Sequence, residues 1–341
     1  MKRFLFGFLK VLLGLIVVLV VVWFAGPKAD FDSVNPDITD LSISIGEIDS
    51  YLAEKEAKVA NIKPLNESRV IWADSVRQTE YAIVYLHGFS AGPMEGAPLH
   101  QETAQRYGMN LYLPRLYKHG IDDDEIFTEL TPHGLVESAK EAIAIGRIIG
   151  KKVIVMSCST GGTLAAYLIA HNDVHAHITY APNIDLFDPK SDMMTGPWGL
   201  KITKSILGDY NLPEEDPNTP DSVQAKIDQY WSGKYRVEGL VALQSLLDQT
   251  MKDEFFENIT APHFIGFYYK SDEAQDSSIS VAAVKDYADK ISTEESMKTV
   301  IAFEEAGSHV INSDLTSKQF EDVRAETFNY IEEVLQISAK E

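Results

Sequence analysis

Between Lys152 and Ala170 an apolar, β-branched run, Lys152–Met156, passes into an apolar helical run, Gly161–Ala170, with only Ser157-Cys158-Ser159-Thr160 between them. A strand that feeds a helix through so short a turn packs that helix back across its own sheet. The chain is thereby committed to a crossover and to parallel pairing. Small residues are needed two before and two after the centre of such a turn, because strand and helix cross there almost in backbone contact.

The rest of the chain repeats this alternation. Strand-like runs fall at Tyr81–Leu86, Asn110–Leu113, Ile178–Tyr180, His263–Tyr269 and Thr299–Phe303. Helical periodicity marks Gly134–Ile149, Val237–Lys252, Val281–Ile291 and Gln319–Leu335. Strands alternating with helices imply a mostly parallel central sheet with helices on both faces. The stretch from about 183 to 236 is rich in Pro, Asp and Gly and breaks the pattern, so it reads as an insertion over one edge. Hydrophobic residues make up 45% of the chain, enough to fill such a core.

The turn after the Lys152–Met156 run also carries the first chemical signal. A helix N-terminus aims backbone N–H groups at an anion, and the tight turn lifts one side chain above the sheet. Register decides which one. With Ser159 at the centre, the flanking positions are Ser157 and Gly161, both small. Centring on Cys158 places Met156 and Thr160 there, and centring on Ser157 places Val155 at −2. Only Ser159 fits, and it is the candidate nucleophile, although Ser157 replaces the usual glycine.

Two further signals follow strand ends. Tyr85-Leu86-His87-Gly88-Phe89-Ser90 ends the first apolar run, where an oxyanion loop belongs. The backbone N–H groups of Phe89 and Thr160 are the expected pair of donors, and His87 reads as a buried structural residue. In the chain order of this turn architecture an acid and then a histidine follow the serine. Asp272 and Asp276 come after His263–Tyr269, and Asp276 is preferred because it leads into the next helix. Glu304-Glu305-Ala306-Gly307-Ser308-His309 follows Thr299–Phe303, and His309 is the expected base. His171, His175 and His177 resemble a metal cluster, but they join a helix end to the next strand and read as a solvated loop. Neither a metal nor a cofactor is expected.

Phe4 to Phe24 is apolar apart from Lys10 and spans roughly 30 Å as a helix, the thickness of a bilayer's hydrocarbon core. Lys2 and Arg3 precede it, while Asp30 and Asp32 follow, so the positive-inside rule places the N-terminus in the cytoplasm and the remainder outside. Cleavage after Ala25 or Gly26 would put Trp23 or Phe24 at −3, which is too bulky for a signal peptidase, so an uncleaved anchor is expected. The net charge of −21, from 30 basic and 51 acidic residues, excludes nucleic-acid binding. The single cysteine, Cys158, excludes an internal disulfide.

The runs Leu86-His87-Gly88-Phe89-Ser90, Leu113-Pro114-Arg115-Leu116-Tyr117-Lys118-His119-Gly120 and Ser157–Gly162 resemble the α/β-hydrolase superfamily, and within it bacterial carboxylesterases and monoacylglycerol lipases. Serine aminopeptidase-type hydrolases share the framework. The resemblance implies an α/β-hydrolase fold over about residues 70–337; with the N-terminal transmembrane helix read above, the chain divides into residues 1–26 as anchor, 27–68 as stalk and lead-in, and 69–337 as the hydrolase domain. It also implies a lid at about 183–236, whose apolar residues Phe187, Met193, Met194, Trp198, Leu200, Ile202, Ile206 and Leu207 suit an acyl chain or pack the lid on the domain. The activity implied is hydrolysis of a small-molecule acyl ester through Ser159, His309 and Asp276. The alternatives are an amide or peptide hydrolase with the same residues, or a non-catalytic binding protein of the same fold.

Overall fold

The computed structural model describes residues 2–212 and 219–340. Helix α1 (Lys2–Phe24) projects from the domain with its apolar side chains exposed, and its span Phe4–Phe24 has a mean hydropathy of 3.0, long and apolar enough to cross a membrane. Residues 27–44 form neither helix nor strand but lie along the domain, with Phe31, Val34, Ile38, Leu41 and Ile43 packed on its core. Helix α2 (Ile48–Glu56) follows and buries Ile48 and Leu52 in the same core.

The central sheet is built from β1 (Arg69–Ile71), β2 (Thr79–Leu86), β3 (Asn110–Leu113), β4 (Gly150–Cys158), β5 (Ala176–Tyr180), β8 (His263–Phe267) and β11 (Lys298–Ala302). Their order is β1-β3-β2-β4-β5-β8-β11, antiparallel only between β1 and β3. Two short pairs lie outside it: β6 (Tyr210–Asn211) with β7 (Tyr235–Arg236), and β9 (Tyr269–Ser271) with β10 (Ala274–Gln275). The expected strands are all present. Sequence periodicity does not announce β1, nor helix α3 (Leu99–Tyr107) between β2 and β3, whose buried face includes the polar residues His100 and Thr103.

Strand alternation divides the core in two. Ala82, Val84 and Leu86 of β2, with Val153 and Val155 of β4, face α2, α4 (Pro132–Ile149), α5 (Thr160–Ile169) and α8 (Glu238–Thr250). Ile83 and Tyr85, with Ile154, Met156 and Cys158, face α3 and α11 (Phe320–Asn329). A third cluster packs Ile265 and Phe267 of β8 on α10 (Val281–Lys290) and on the short α9 (Asp253–Phe256). Between β5 and α8 the chain forms a 3₁₀ turn at Pro189–Met194, α6 (Gly199–Leu207), the β6–β7 pair and α7 (Asp221–Tyr230). Trp198, at the head of α6, donates its indole N–H to the Val22 carbonyl and its backbone N–H to that of Pro27, so the end of α1 meets this insertion.

The lead-in is tied to the domain by a buried ion pair. Arg115 Nε lies 2.7 Å from Glu56 Oε2 at the end of α2, and the same guanidinium donates to the His119 carbonyl. Truncating one partner of a buried pair strands the other charge, at a cost of about 3–5 kcal/mol. Glu56→Ala should therefore lower the denaturant midpoint of the full-length protein by an amount equivalent to about 3 kcal/mol. A change under about 1 kcal/mol would show that α2 contributes little to the cooperative unit.

Candidate active site

The sheet brings its chemistry to one edge, because β2, β4, β8 and β11 run parallel and the loops at their C-terminal ends adjoin one another. At the end of β4 the backbone of Ser159 takes φ 52° and ψ −120°, a left-handed conformation that costs a non-glycine residue on the order of 1–3 kcal/mol. Neighbouring strands hold it there. Its N–H donates to the Tyr180 carbonyl, and its own carbonyl accepts from Gly162, Thr163 and Asn183. Gly161 is required at +2, since a Cβ there would lie 1.9 Å from the Leu86 carbonyl oxygen.

Ser157, at −2, is more than a small residue. Its hydroxyl donates to Thr179 Oγ1 at 2.9 Å and lies 2.8 Å from His177 Nε2. His177 Nδ1 is in turn 2.9 Å from His263 Nε2, which also meets the Tyr287 hydroxyl at 3.0 Å. His177 is thus a buried residue of β5 beneath the turn, which corrects its reading as part of a solvated loop; its side chain alternates inward with the strand. Burial pushes both imidazoles down, His263 to about 3, so the network is neutral.

The loop after β8 carries Asp276 in a fully buried position. Its Oδ1 accepts from Ser278 N–H at 2.8 Å, and its Oδ2 is 2.6 Å from His309 Nδ1. The sharp turn at Asp276–Ser280 is fixed by Ser280, which caps α10 through the Ala283 N–H. Asp272 is exposed and accepts instead from the Tyr269 hydroxyl. His309 arrives from the loop after β11. Its burial works to lower its pKa, but the charge and hydrogen bond of Asp276, with a smaller contribution from Glu95, hold it above the ordinary histidine value.

Ser159 and His309 line one cavity of about 300 Å³ together with Phe89, Glu95, Thr160, Trp231 and Tyr235. Among the described residues Ser159 Oγ makes no hydrogen bond to His309. The Phe89 and Thr160 N–H groups donate to no other group among the described residues, whereas the Gly88 N–H between His87 and Phe89 donates to Glu95 Oε2 at 2.8 Å. His87 is buried, and its Nε2 accepts from the Leu116 N–H at 3.1 Å, so it braces the loop from below. The insertion supplies Asn183, Leu186, Trp231 and Tyr235 to the wall, while Phe187, Met193, Ile206 and Leu207 face outward.

Glu95 is the acidic cavity residue that the sequence does not announce, and Asn183, Trp231 and Tyr235 are unannounced as well. Glu95 is 1% exposed, and burial raises its pKa to about 7 against the opposing pull of the Gly88 N–H, the Tyr85 hydroxyl, His309 and Trp231. The available signal was a lone acid in the otherwise uncharged Ala91–Leu99 run.

No protein-family model matches the chain, and no curated protein matches its sequence. Solved structures do match. One of the metagenome-derived lipolytic enzymes LipS and LipT aligns with a TM-score of 0.63 at 13% identity, over 80% of this chain and 100% of its own. A soluble variant of monoglyceride lipase from Saccharomyces cerevisiae reaches 0.57 at 11% identity, over 78% and 91%. The Paleococcus ferrophilus monoacylglycerol lipase reaches 0.52 at 14% identity, over 80% and 98%. The chain has the α/β-hydrolase fold.

The hydrogen bond from His309 to Asp276 sets a testable pKa. Because Asp276 favours the charged imidazolium, Asp276→Asn should lower the His309 pKa, and Asp272→Asn should leave it unchanged. Titration of the ring-labelled histidine by NMR distinguishes the two. An unmoved His309 in Asp276→Asn would show that the pair is not coupled in solution.

Proposed function

We propose that the chain is a serine hydrolase that cleaves carboxylic esters. The observation that carries this reading is the buried Asp276–His309 pair in the same cavity as Ser159, whose backbone is held in a left-handed turn at the head of α5. In the reaction His309 Nε2 accepts the Ser159 hydroxyl proton as Oγ attacks the ester carbonyl carbon. The Phe89 and Thr160 N–H groups receive the oxyanion, with the N-terminus of α5 behind Thr160 adding its dipole. Asp276 holds the ring in the Nδ1–H tautomer and stabilises the imidazolium. The imidazolium then gives its proton to the leaving alcohol, and water, deprotonated by His309, hydrolyses the acyl-enzyme. The Ser159–His309 hydrogen bond that this step needs forms as substrate binds.

The substrate class is supported by the cavity and its surroundings. A second cavity of about 580 Å³ shares Ser90, Trp231, Tyr235 and Val310 with the first, giving room beyond those residues for a second limb of an ester whose reacting end sits by Ser159. The neighbours in fold include lipolytic enzymes and monoacylglycerol lipases. Ser159→Ala should abolish labelling by a fluorophosphonate and lower kcat on p-nitrophenyl esters by about 10⁴-fold or more, with the fold retained. Cys158→Ala should keep both. Turnover that survives Ser159→Ala, or that appears only with aminoacyl anilides, would overturn the assignment of nucleophile or of bond.

The same reading gives α1 the role of an uncleaved N-in membrane anchor with the hydrolase domain outside the cytoplasm. It is supported by the length and apolarity of Phe4–Phe24 and by the positive charges ahead of it. The protein should stay with membranes through a carbonate wash, and protease added to spheroplasts should digest the domain. A domain protected until lysis would reverse the orientation, and a mature N-terminus after Ala25 would remove the anchor.

A further inference from the structure

Glu95 lies at the join of three loops and takes no part in the steps above. Its Oε2 accepts from the Gly88 N–H at 2.8 Å and from the Tyr85 hydroxyl at 3.0 Å. The Tyr85 hydroxyl accepts in turn from Asn312 Nδ2 at 3.1 Å, and Asn312 is three residues beyond His309. A Cβ placed on Gly88 would lie 2.8 Å from Glu95 Oε1 and 3.1 Å from Ser159 Cβ, so the carboxyl and the serine flank one point of the loop. The groups facing Glu95 are Tyr85 from β2, Cys158 from the end of β4, Trp231 from the end of α7 and His309 from the loop after β11, which has Asp276 on its other side. None of them is a fixed cation. A carboxyl buried this deeply is costly unless its bonds serve the surrounding structure.

We propose that Glu95 is a positioning residue of the site: it turns the Gly88 amide inward so that the Phe89 N–H is left to the cavity, ties that loop to the His309 loop through Tyr85 and Asn312, and presents a second negative charge to the His309 ring. The inference rests on the serine-hydrolase reading. The two parts of the role separate by substitution. Gln keeps a carbonyl acceptor for Gly88 and Tyr85 but removes the charge. Met keeps the volume and removes the acceptor. A negative charge favours the imidazolium, and the neutral ring is the base, so losing the charge lets His309 act at lower pH.

The test is kcat and KM on p-nitrophenyl butyrate from pH 5 to 9, with fluorophosphonate labelling rates over the same range, for the full-length protein in detergent and for Glu95→Gln and Glu95→Met. Glu95→Gln should keep kcat at pH 8 within about threefold and move the acid limb of kcat/KM and of labelling down by about 0.3 pH unit, less than a full charge would give because burial holds the Glu95 pKa at about 7. Glu95→Met should lose at least about tenfold in kcat with KM little changed, as when an oxyanion donor is misplaced. A Glu95→Gln acid limb that coincides with the wild type, or a folded Glu95→Met with wild-type kcat, overturns the proposal while leaving the hydrolase reading in place. If Glu95→Met does not fold, the Glu95→Gln profile decides. A wild-type protein that neither labels nor hydrolyses any ester overturns the hydrolase reading itself, and the role of Glu95 with it.

Discussion

Gly161 crosses the end of β2 so closely that its Cα faces the carbonyl oxygens of Leu86 and His87 with no room for a side chain. That crossing fixes the height of α5 over the sheet, and the helix can start there only if the residue before it bends into a left-handed conformation. Ser159 accepts that strain because four backbone hydrogen bonds, to Tyr180, Gly162, Thr163 and Asn183, hold it from two sides. The same crossing sets the loop after β2 against the head of α5, so the free amides of Phe89 and Thr160 open into one cavity. Relieving the crossing would move strand end, helix head and loop together.

Below the turn the core is not purely apolar. Ser157, His177, His263 and Tyr287 link β4, β5, β8 and α10 through neutral hydrogen bonds under the turn. A glycine at −2 would leave His177 Nε2 without the Ser157 hydroxyl, an unpaired polar group in a dry interior at about 1–3 kcal/mol. The serine at that position is therefore explained by what lies beneath it. The arrangement also makes the elbow and three strands of the sheet part of one network, which limits how far Ser159 can move relative to β8 and the Asp276 loop that follows it.

Much of the fold was legible because its signals are local. Apolar runs of the right length marked β2, β3, β4, β5, β8 and β11 of the central sheet, and the small residues around Ser159 chose the register of the turn. The pairing of Asp276 with His309 was legible from chain order, since parallel strands bring successive loop ends together. The misses share a different cause. The burial of His177 depended on which way a short strand alternates, which a His-rich sequence does not declare. Helix α3 places His100 and Thr103 on its inner face, so its periodicity is masked. Glu95 enters the site through a turn of the loop after β2, and no spacing rule connects it to residues brought there by β4 and β11.

As a proposed hydrolase, this acidic chain would have to keep a site for a developing anion. On the proposed reading two carboxyls flank the ring, and each would repel an oxyanion if it faced the cavity bare. Neither does. Asp276 has its oxygens occupied by the Ser278 amide and by the Nδ1 edge of the imidazole. Glu95 is capped by the Gly88 amide and the Tyr85 hydroxyl, and burial holds its pKa near 7, so its charge is only partial at neutral pH. On that reading the unpaired amides of Phe89 and Thr160, with the first turn of α5 behind them, supply the positive dipoles for the oxyanion. Carboxylates exposed to solvent are screened by salt over about 10 Å. Catalytic polarity is in this way set by which amides are left unpaired at two loop ends, and the identity of those amides follows from the bonds that their immediate neighbours make.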